Sequence, residues 1–239
     1  MSGDLLPVAI LAGGLGQRLG PLTERVPKAL VDVNGAPFIA HQLRLLHAHG
    51  ARRVVMCVGY LGEQVQAAVG DGSGLGIETR WSFDGPQLRG TAGALKKALH
   101  LLGEAFLVLY GDSYLECDYQ RVQAVFQASH KPGLMTVFRN VGLWDGSNVE
   151  FADGQISAYD KRSPNRRMEH IDYGLGAFHS SAFDEVPDDE PFDLATLYQL
   201  LLRRNELAAF EVQERFYEIG SPAGLAETRA HLSSVTVAR

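Results

Sequence analysis

The chain has 239 residues, 46% of them hydrophobic and 21% charged, with a formal net charge of -6 and a sequence pI of about 5.7. This is the composition of a soluble globular protein, and the length suits one large α/β core. An acidic balance excludes a bulk nucleic-acid binder, which carries a basic stripe and a domain pI above about 9, but leaves room for a local cluster of Arg and Lys that binds small anions. The two cysteines, Cys57 and Cys117, belong to no CxxC or Cys/His spacing and are expected to stay reduced and packed. The opening MSGDLLPVAILAGG has no basic stretch before a short apolar run that ends in glycines, too short for a signal peptide or a membrane span, so a cytoplasmic protein is expected.

In chain order, residues 7–11 (PVAIL) form an apolar run closed by glycines, the pattern of a strand buried on both faces of a parallel sheet. Residues 38–49 place apolar side chains at helical spacing and end at Gly50, and 53–58 (RVVMCV) read as a second buried strand, completing a βαβ unit. A helix is expected over 61–69, a strand over 78–82, a Thr-capped helix over 91–102 and a third buried strand over 105–110 (AFLVLY). Beyond that, 119–129 looks helical and 133–138 strand-like. Asp153-Gly154 then signals a hairpin between strands over 147–151 and 155–161. A strand over 171–179, a helix over 194–204, strands over 207–212 and 215–219, and a helix over 222–232 opened by Pro222 complete the chain. The expected class is α/β, with a mostly parallel sheet and helices on both faces. No linker, repeat or low-complexity segment divides it.

The segment LAGGLGQRL, residues 11–19, follows a buried strand, so its glycines fall where open α/β sheets bind ligands and several amide N–H groups can face a phosphate. The spacing is not GxGxxG, because Leu19 stands at the last glycine, and no GK[ST] follows to make a Walker A loop. A glycine-rich turn without a ligand stays open on these residues alone. Arg18 and Lys28 sharpen the case, since a guanidinium fork and an ammonium beside an amide-lined loop suit a polyphosphate.

The run LAGGLGQRLGPLTERVPKALVDVNGAPFIAHQL closely resembles the N-terminal signature of sugar-1-phosphate nucleotidylyltransferases, a GGxGxRL loop followed by PK and G-x-P-[FL]-[IL]. The resemblance continues in GTAGALKKAL, YGDSYL, AYDKRS, DYGLGAF and YEIGSP, and so spans residues 7–230. It implies a single Rossmann-like, GT-A-like nucleotidyltransferase domain, with a nucleotide-binding half over 1–115 and a β-rich sugar-phosphate-binding half over 116–239. It implies nucleotide contacts at Leu11, Ala12, Gly13, Gly14, Gly16, Gly90 and Thr91, and catalytic roles for Arg18, Lys28 and Asp112. Sugar-phosphate contacts fall to Glu150, Lys161, Tyr173 and Gly174, and Mg²⁺ to Asp112 and Glu218. The expected reaction joins a nucleoside monophosphate from an NTP to a sugar 1-phosphate, within nucleotide-sugar and cell-surface polysaccharide synthesis. Expected partners are those two substrates, with no nucleic acid and no membrane, and a homo-oligomer left open.

The short length, without a C-terminal β-helix, resembles heptose-1-phosphate guanylyltransferases and muramate-1-phosphate uridylyltransferases, and the double Lys of GTAGALKKAL leans to the heptose type. Three positions depart from the pattern. Arg89 replaces an apolar residue, which sets a cation beside the nucleoside; Gly146-Ser147-Asn148 replaces a Tyr-Gly; and Glu218 replaces Asp. A nucleotide-sugar sensor without catalysis, and a transferase acting on another phosphorylated alcohol or a molybdenum cofactor, stay open beside the enzyme. The eight His show no HExxH spacing.

Overall fold

The computed structural model describes residues 4–237. The chain opens with β1 (Val8–Leu11), a 3₁₀ segment Gln17–Thr23, and a short hairpin of β2 (Asp32–Val33) and β3 (Ala36–Pro37). Then follow α1 (Phe38–Ala48), β4 (Arg53–Val58), α2 (Gly62–Val69), β5 (Glu78–Phe83), α3 (Gly90–Leu102) and β6 (Ala105–Tyr110). The second part contains β7 (Ser113–Leu115), α4 (Tyr119–Ser129), β8 (Gly133–Arg139), β9 (Val149–Ala152), β10 (Gln155–Tyr159) and β11 (His170–His179). It closes with α5 (Leu194–Arg203), β12 (Leu207–Val212), β13 (Phe216–Glu218) and α6 (Pro222–Val237).

A nine-stranded sheet runs in the order β10-β9-β11-β6-β1-β4-β5, with β8 paired to β11 and β12 paired to β8. The four strands β6, β1, β4 and β5 are parallel; β1, β4 and β6 carry the apolar runs of strands covered on both faces, while β5 (ETRWSF), at the end of the row, alternates exposed and buried residues. This parallel block ends at β11, which runs antiparallel to β6, β8 and β9, and beyond it β12 is again parallel to β8. Helices α1, α2 and α4 cover one face through Ile39, Leu43, Leu46, Val65, Val122 and Phe126. On the other face α3 and α5 pack through Leu95, Leu102, Leu197 and Leu201. Each such fully buried side chain contributes about 1.5–3 kcal/mol. Asp153 and Gly154 both take positive φ at the β9–β10 turn, as a two-residue hairpin of this type demands.

Two features bear on function. Strands β7 and β13 form a separate antiparallel ribbon that sets Glu218 opposite Ser113, 105 residues away in sequence. Helix α6 is fastened to that ribbon by His231, which stacks on Tyr217 at 3.9 Å between ring centroids and bonds Glu116 at 2.5 Å. A third apolar cluster of Leu19, Val33, Phe38, Tyr114, Ile219 and Leu225 ties the 3₁₀ segment to the same ribbon.

Candidate active site

The carboxyl ends of β1, β4 and β6 open into a cleft of about 260 Å³. Nine of the positions singled out from sequence line it: Leu11, Ala12, Gly13, Gly14, Gly16, Lys28, Gly90, Thr91 and Asp112. The glycines serve different ends. A Cβ on Gly13 would lie 3.1 Å from the Gly59 backbone nitrogen, so this residue lets two loops touch, whereas a Cβ on Gly14 would meet nothing within 4 Å. On Gly111 a Cβ would come within 2.8 Å of the Leu11 carbonyl, so the missing side chain is what lets the ends of β1 and β6 approach this closely just before Asp112. Gly16 takes φ 65°, and its carbonyl accepts from Thr23 Oγ1 at 2.9 Å, which closes the loop on the 3₁₀ segment.

Lys28 Nζ lies 2.5 Å from Asp112 Oδ2, with both side chains largely sheltered. Arg18 is exposed and stands outside the cleft lining, but its Nη2 is 2.8 Å from the point where a Cβ on Gly220 would lie, and Lys28 Nζ is 3.1 Å from that point. Arg18, Lys28, Asp112 and the Glu218 carboxylate therefore meet around Gly220. Glu218 is already engaged: one oxygen accepts from the Gly220 N–H and the other from Ser221 Oγ at 2.8 Å, so it braces the start of α6. Its backbone neighbour Ile219 donates to the Asp112 carbonyl at 2.9 Å. No group of three or more His, Cys, Asp or Glu is gathered among the described residues.

Thr91 does not cap its own helix. Helix α3 starts one residue earlier, with Gly90 at φ 70°, and the Thr91 hydroxyl accepts from the Leu194 N–H at 2.7 Å, which joins the starts of α3 and α5. Arg89 does not present a free cation to the cleft. It donates through Nε to the Asp84 carbonyl at 3.1 Å and through Nη1 to the Asp188 carbonyl at 2.6 Å, stapling two loops together.

Sequence reasoning missed Asp84, which lines the cleft at the carboxyl end of β5 and is 7% exposed. Burial pushes its carboxyl above the ordinary Asp range, a shift that the Arg89 N–H, Lys97 and the Arg89 guanidinium only partly offset. The strand-end criterion applied to β1 and β6 would have found it. Asp193, before α5, and Tyr110, at the end of β6, complete the wall.

The sugar-phosphate positions divide. Lys161 stands just past β10, with Nζ 2.9 Å from Asp172 Oδ2 and 5.4 Å from the Tyr110 ring centroid. Burial works against its charge, yet the Asp172 carboxylate and Tyr110 outweigh it and hold the ammonium above the ordinary Lys range. Asp160 turns its carboxylate onto the Arg162 and Ser163 N–H groups and so shapes the turn that carries Lys161. Gly174, at φ 98°, brings β11 to the end of β6, where a Cβ would lie 3.4 Å from Tyr110 Cδ2. Glu150 instead pairs with Arg167 at 3.3 Å and does not line the cleft.

Tyr173 does not face the sugar side at all. It is 2% exposed, its ring packs against Phe138 and Phe216, and its hydroxyl is buried without a hydrogen-bond partner among the described residues. Side chains alternate across a strand, so Asp172 facing Lys161 sends Tyr173 to the opposite face. Asn148, one of the departures, accepts from the Asp172 N–H at 3.0 Å and fixes that strand start.

Residues 8–141 match the family model described as nucleotidyl transferase. The chain belongs to the nucleotidyl transferase family. It is 31% identical over 228 residues to an N-acetylmuramate alpha-1-phosphate uridylyltransferase from Neisseria meningitidis serogroup B, covering 92% of this chain and 96% of that protein. It is 30% identical over 226 residues to a mannose-1-phosphate guanylyltransferase catalytic subunit beta from Drosophila melanogaster, covering 89% of this chain and 59% of that protein. Among solved structures, HddC from Yersinia pseudotuberculosis complexed with GMP-PN superposes with a TM-score of 0.78 at 21% identity, covering 95% of this chain and all of that one. The inositol-1-phosphate CTP transferase from T. maritima superposes with a TM-score of 0.75 at 20% identity, over 96% and 97% of the two chains. The nucleotidyltransferase is thus an α/β enzyme of the expected fold class. Among its described residues no helix is long and apolar enough to cross a membrane.

Proposed function

We propose that this nucleotidyltransferase transfers GMP from GTP to a heptose 1-phosphate with Mg²⁺, releasing pyrophosphate. The observation that carries the transfer is the meeting of Arg18, Lys28 and Asp112 at the mouth of a glycine-lined cleft. The attacking phosphate monoester is already anionic, with its second pKa near 6, so no general base is required. The protein has to position two anions and offset their charge. The Ala12 N–H is spent on the Cys57 carbonyl at 2.8 Å, so loop amides of residues 13–16 and Arg18 receive the departing pyrophosphate, Lys28 steadies the α-phosphate, and Lys161 holds the sugar phosphate.

The donor set suits a hard divalent cation: Asp112 and Glu218 offer carboxylate oxygens from adjacent backbone, which fits an ion that keeps several waters and takes its other ligands from phosphate. When bound, Mg²⁺ offsets triphosphate charge. Guanine is favoured by Asp84, because an acceptor-only carboxylate matches the adjacent N1–H and N2–H donors of guanine and only the single N3–H of uracil.

A second reading, uridylyl transfer to N-acetylmuramate 1-phosphate, is favoured by the 96% coverage of the Neisseria relative. Pyrophosphate release measured over a matrix of GTP, UTP, dTTP and CTP against heptose, hexose and muramate 1-phosphates separates the two. The expected maximum is GTP with heptose 1-phosphate. A maximum with UTP and the muramate ester would establish the second reading, and silence with every pair would leave a nucleotide-sugar sensor.

A further inference from the structure

Gln42 lies on α1 within its apolar stripe, beside Ile39, Leu43 and Leu46, and is 1% exposed. A buried amide opposes folding unless its groups are bonded. Its Nε2 donates to the Tyr110 carbonyl at 2.9 Å and to the Ser113 carbonyl at 2.6 Å, while its Oε1 is buried without a partner among the described residues. A side chain that leaves its acceptor unpaired and commits both N–H groups is held at this position by what it donates to.

Those two carbonyls bracket Gly111-Asp112. The rest of the turn is fixed by main-chain bonds, Gly111 N–H to the Leu11 carbonyl at 2.9 Å and Ile219 N–H to the Asp112 carbonyl at 2.9 Å. The first holds the turn to β1 and the second to the residue after β13. Gln42 closes the remaining side from a helix, and is the side chain that grips both ends of the turn. Without it, two part-buried carbonyls lose this donor and the Asp112 turn is held by its main-chain bonds alone.

We propose that Gln42 is the positioning residue for Asp112: its amide clamps the Tyr110–Ser113 turn so that the Asp112 carboxylate faces Lys28 and the divalent cation. This rests on the reading of Asp112 as a group that meets that cation. Partners that orient a ligating side chain typically change metal affinity or activity by 10–100-fold when removed. A purely structural Gln42 would change stability and leave cation affinity alone.

The test compares Gln42→Met, which keeps the length and removes both donors, with Gln42→Asn, which keeps the amide but falls short by a methylene. Leu43→Ala is the control, because it takes packing from the same helix without touching either carbonyl. Mn²⁺ binding is followed directly by the paramagnetic resonance of free Mn²⁺ in the presence of a GTP analogue that cannot be cleaved between its α and β phosphates, and turnover is titrated with Mg²⁺. Each Gln42 variant is expected to weaken Mn²⁺ binding and raise the Mg²⁺ half-saturation by about tenfold or more, with less than a twofold change in sugar-phosphate KM, while Leu43→Ala moves neither. Wild-type Mn²⁺ affinity in whichever Gln42 variant folds, or an equal shift in Leu43→Ala, overturns the proposal. Asp112→Asn run in parallel separates the two ideas: lost Mn²⁺ binding there with normal binding in the Gln42 variants overturns the positioning role alone, and unchanged binding in Asp112→Asn overturns both.

Discussion

The Lys161 ammonium rests on the carboxylate of Asp172, a side chain that also accepts from the Tyr159 hydroxyl at 3.1 Å and the Gly174 N–H at 3.1 Å. Under the proposed function, an incoming sugar phosphate meets a cation whose direction is set but whose charge is partly matched. Lys161→Ala is expected to raise the sugar-phosphate KM far more than the NTP KM, and Asp172→Asn to do the same more mildly, because the ammonium is kept but loses its direction. Steady-state kinetics with each substrate varied in turn checks this, and equal effects on both KM values would remove Lys161 from the sugar phosphate.

Replacing Arg18 or Lys28 with Ala is expected to lower turnover by about 10² to 10³, roughly what the loss of one preorganised charge-stabilising donor costs. Arg18→Ala should leave the melting temperature unchanged, since the guanidinium is exposed. Lys28→Ala also frees Asp112 of its partner. Near-normal turnover in both variants would show that the phosphates do not reach them.

The two central loop glycines are expected to behave differently on substitution by Val. Gly14→Val adds bulk to open space in the loop and should weaken NTP binding at constant stability, while Gly13→Val also presses on Gly59 and should lower the melting temperature. Calorimetric titration of each folded variant with NTP gives the answer; unchanged affinity in Gly14→Val would place the triphosphate elsewhere.

Asp112→Asn is expected to abolish Mg²⁺-dependent turnover with little effect on melting. Glu218→Gln should lose most turnover and also some stability, about 0.5–2 kcal/mol as for other helix-start acceptors, because its oxygens brace α6. Glu218→Asp should retain a measurable fraction of activity. Thermal melts beside Mg²⁺ titrations separate bracing from cation binding, and full activity in Glu218→Gln would leave Asp112 alone.

The raised pKa of Asp84 sets a pH dependence. Its carboxylate is lost at a higher pH than that of an ordinary Asp, so GTP affinity is expected to fall on acidification, beginning above the usual value of 3.8. In the folded chain the proton is bound more tightly than in the unfolded chain, so this group opposes stability at neutral pH and the penalty is relieved as pH falls through the folded pKa. Asp84→Asn should remove this acid limb and weaken GTP binding by about 1–3 kcal/mol, the worth of a paired base contact, without lowering the melting temperature. Affinity measured across the acid range in both proteins tests it.

The parallel half of the sheet is legible in sequence because strands covered on both faces read as unbroken apolar runs, and the loop after β1 is legible because its glycines follow such a run. Asn34-Gly35, with φ of 54° and 85°, carries a hairpin signal too, but its flanking strands have two residues each and show no alternation. The motif alone puts Tyr173 beside Gly174 on the sugar side, because strand parity around the irregular pairing of β11 between Asp172 and Gly176 does not show in a motif. Asp172 and Gln42 lay hidden in apolar surroundings, and what distinguishes them is partners brought from other elements by the fold. Glu218 announced itself as a carboxylate, and only the geometry of Gly220 and Ser221 shows that its oxygens are shared with a helix.

The β7–β13 ribbon also orders events during synthesis. Residues up to Leu115 leave the ribosome long before Phe216, and at about 5–20 residues per second the gap lasts several seconds. Throughout that interval the Asp112 carbonyl lacks the Ile219 N–H and Lys28 lacks the company of Glu218. A nascent chain therefore carries the cleft lining from β1, β4 and β6 before it has Asp193 or Glu218, and the charge cluster is complete only once the last strand and helix are made.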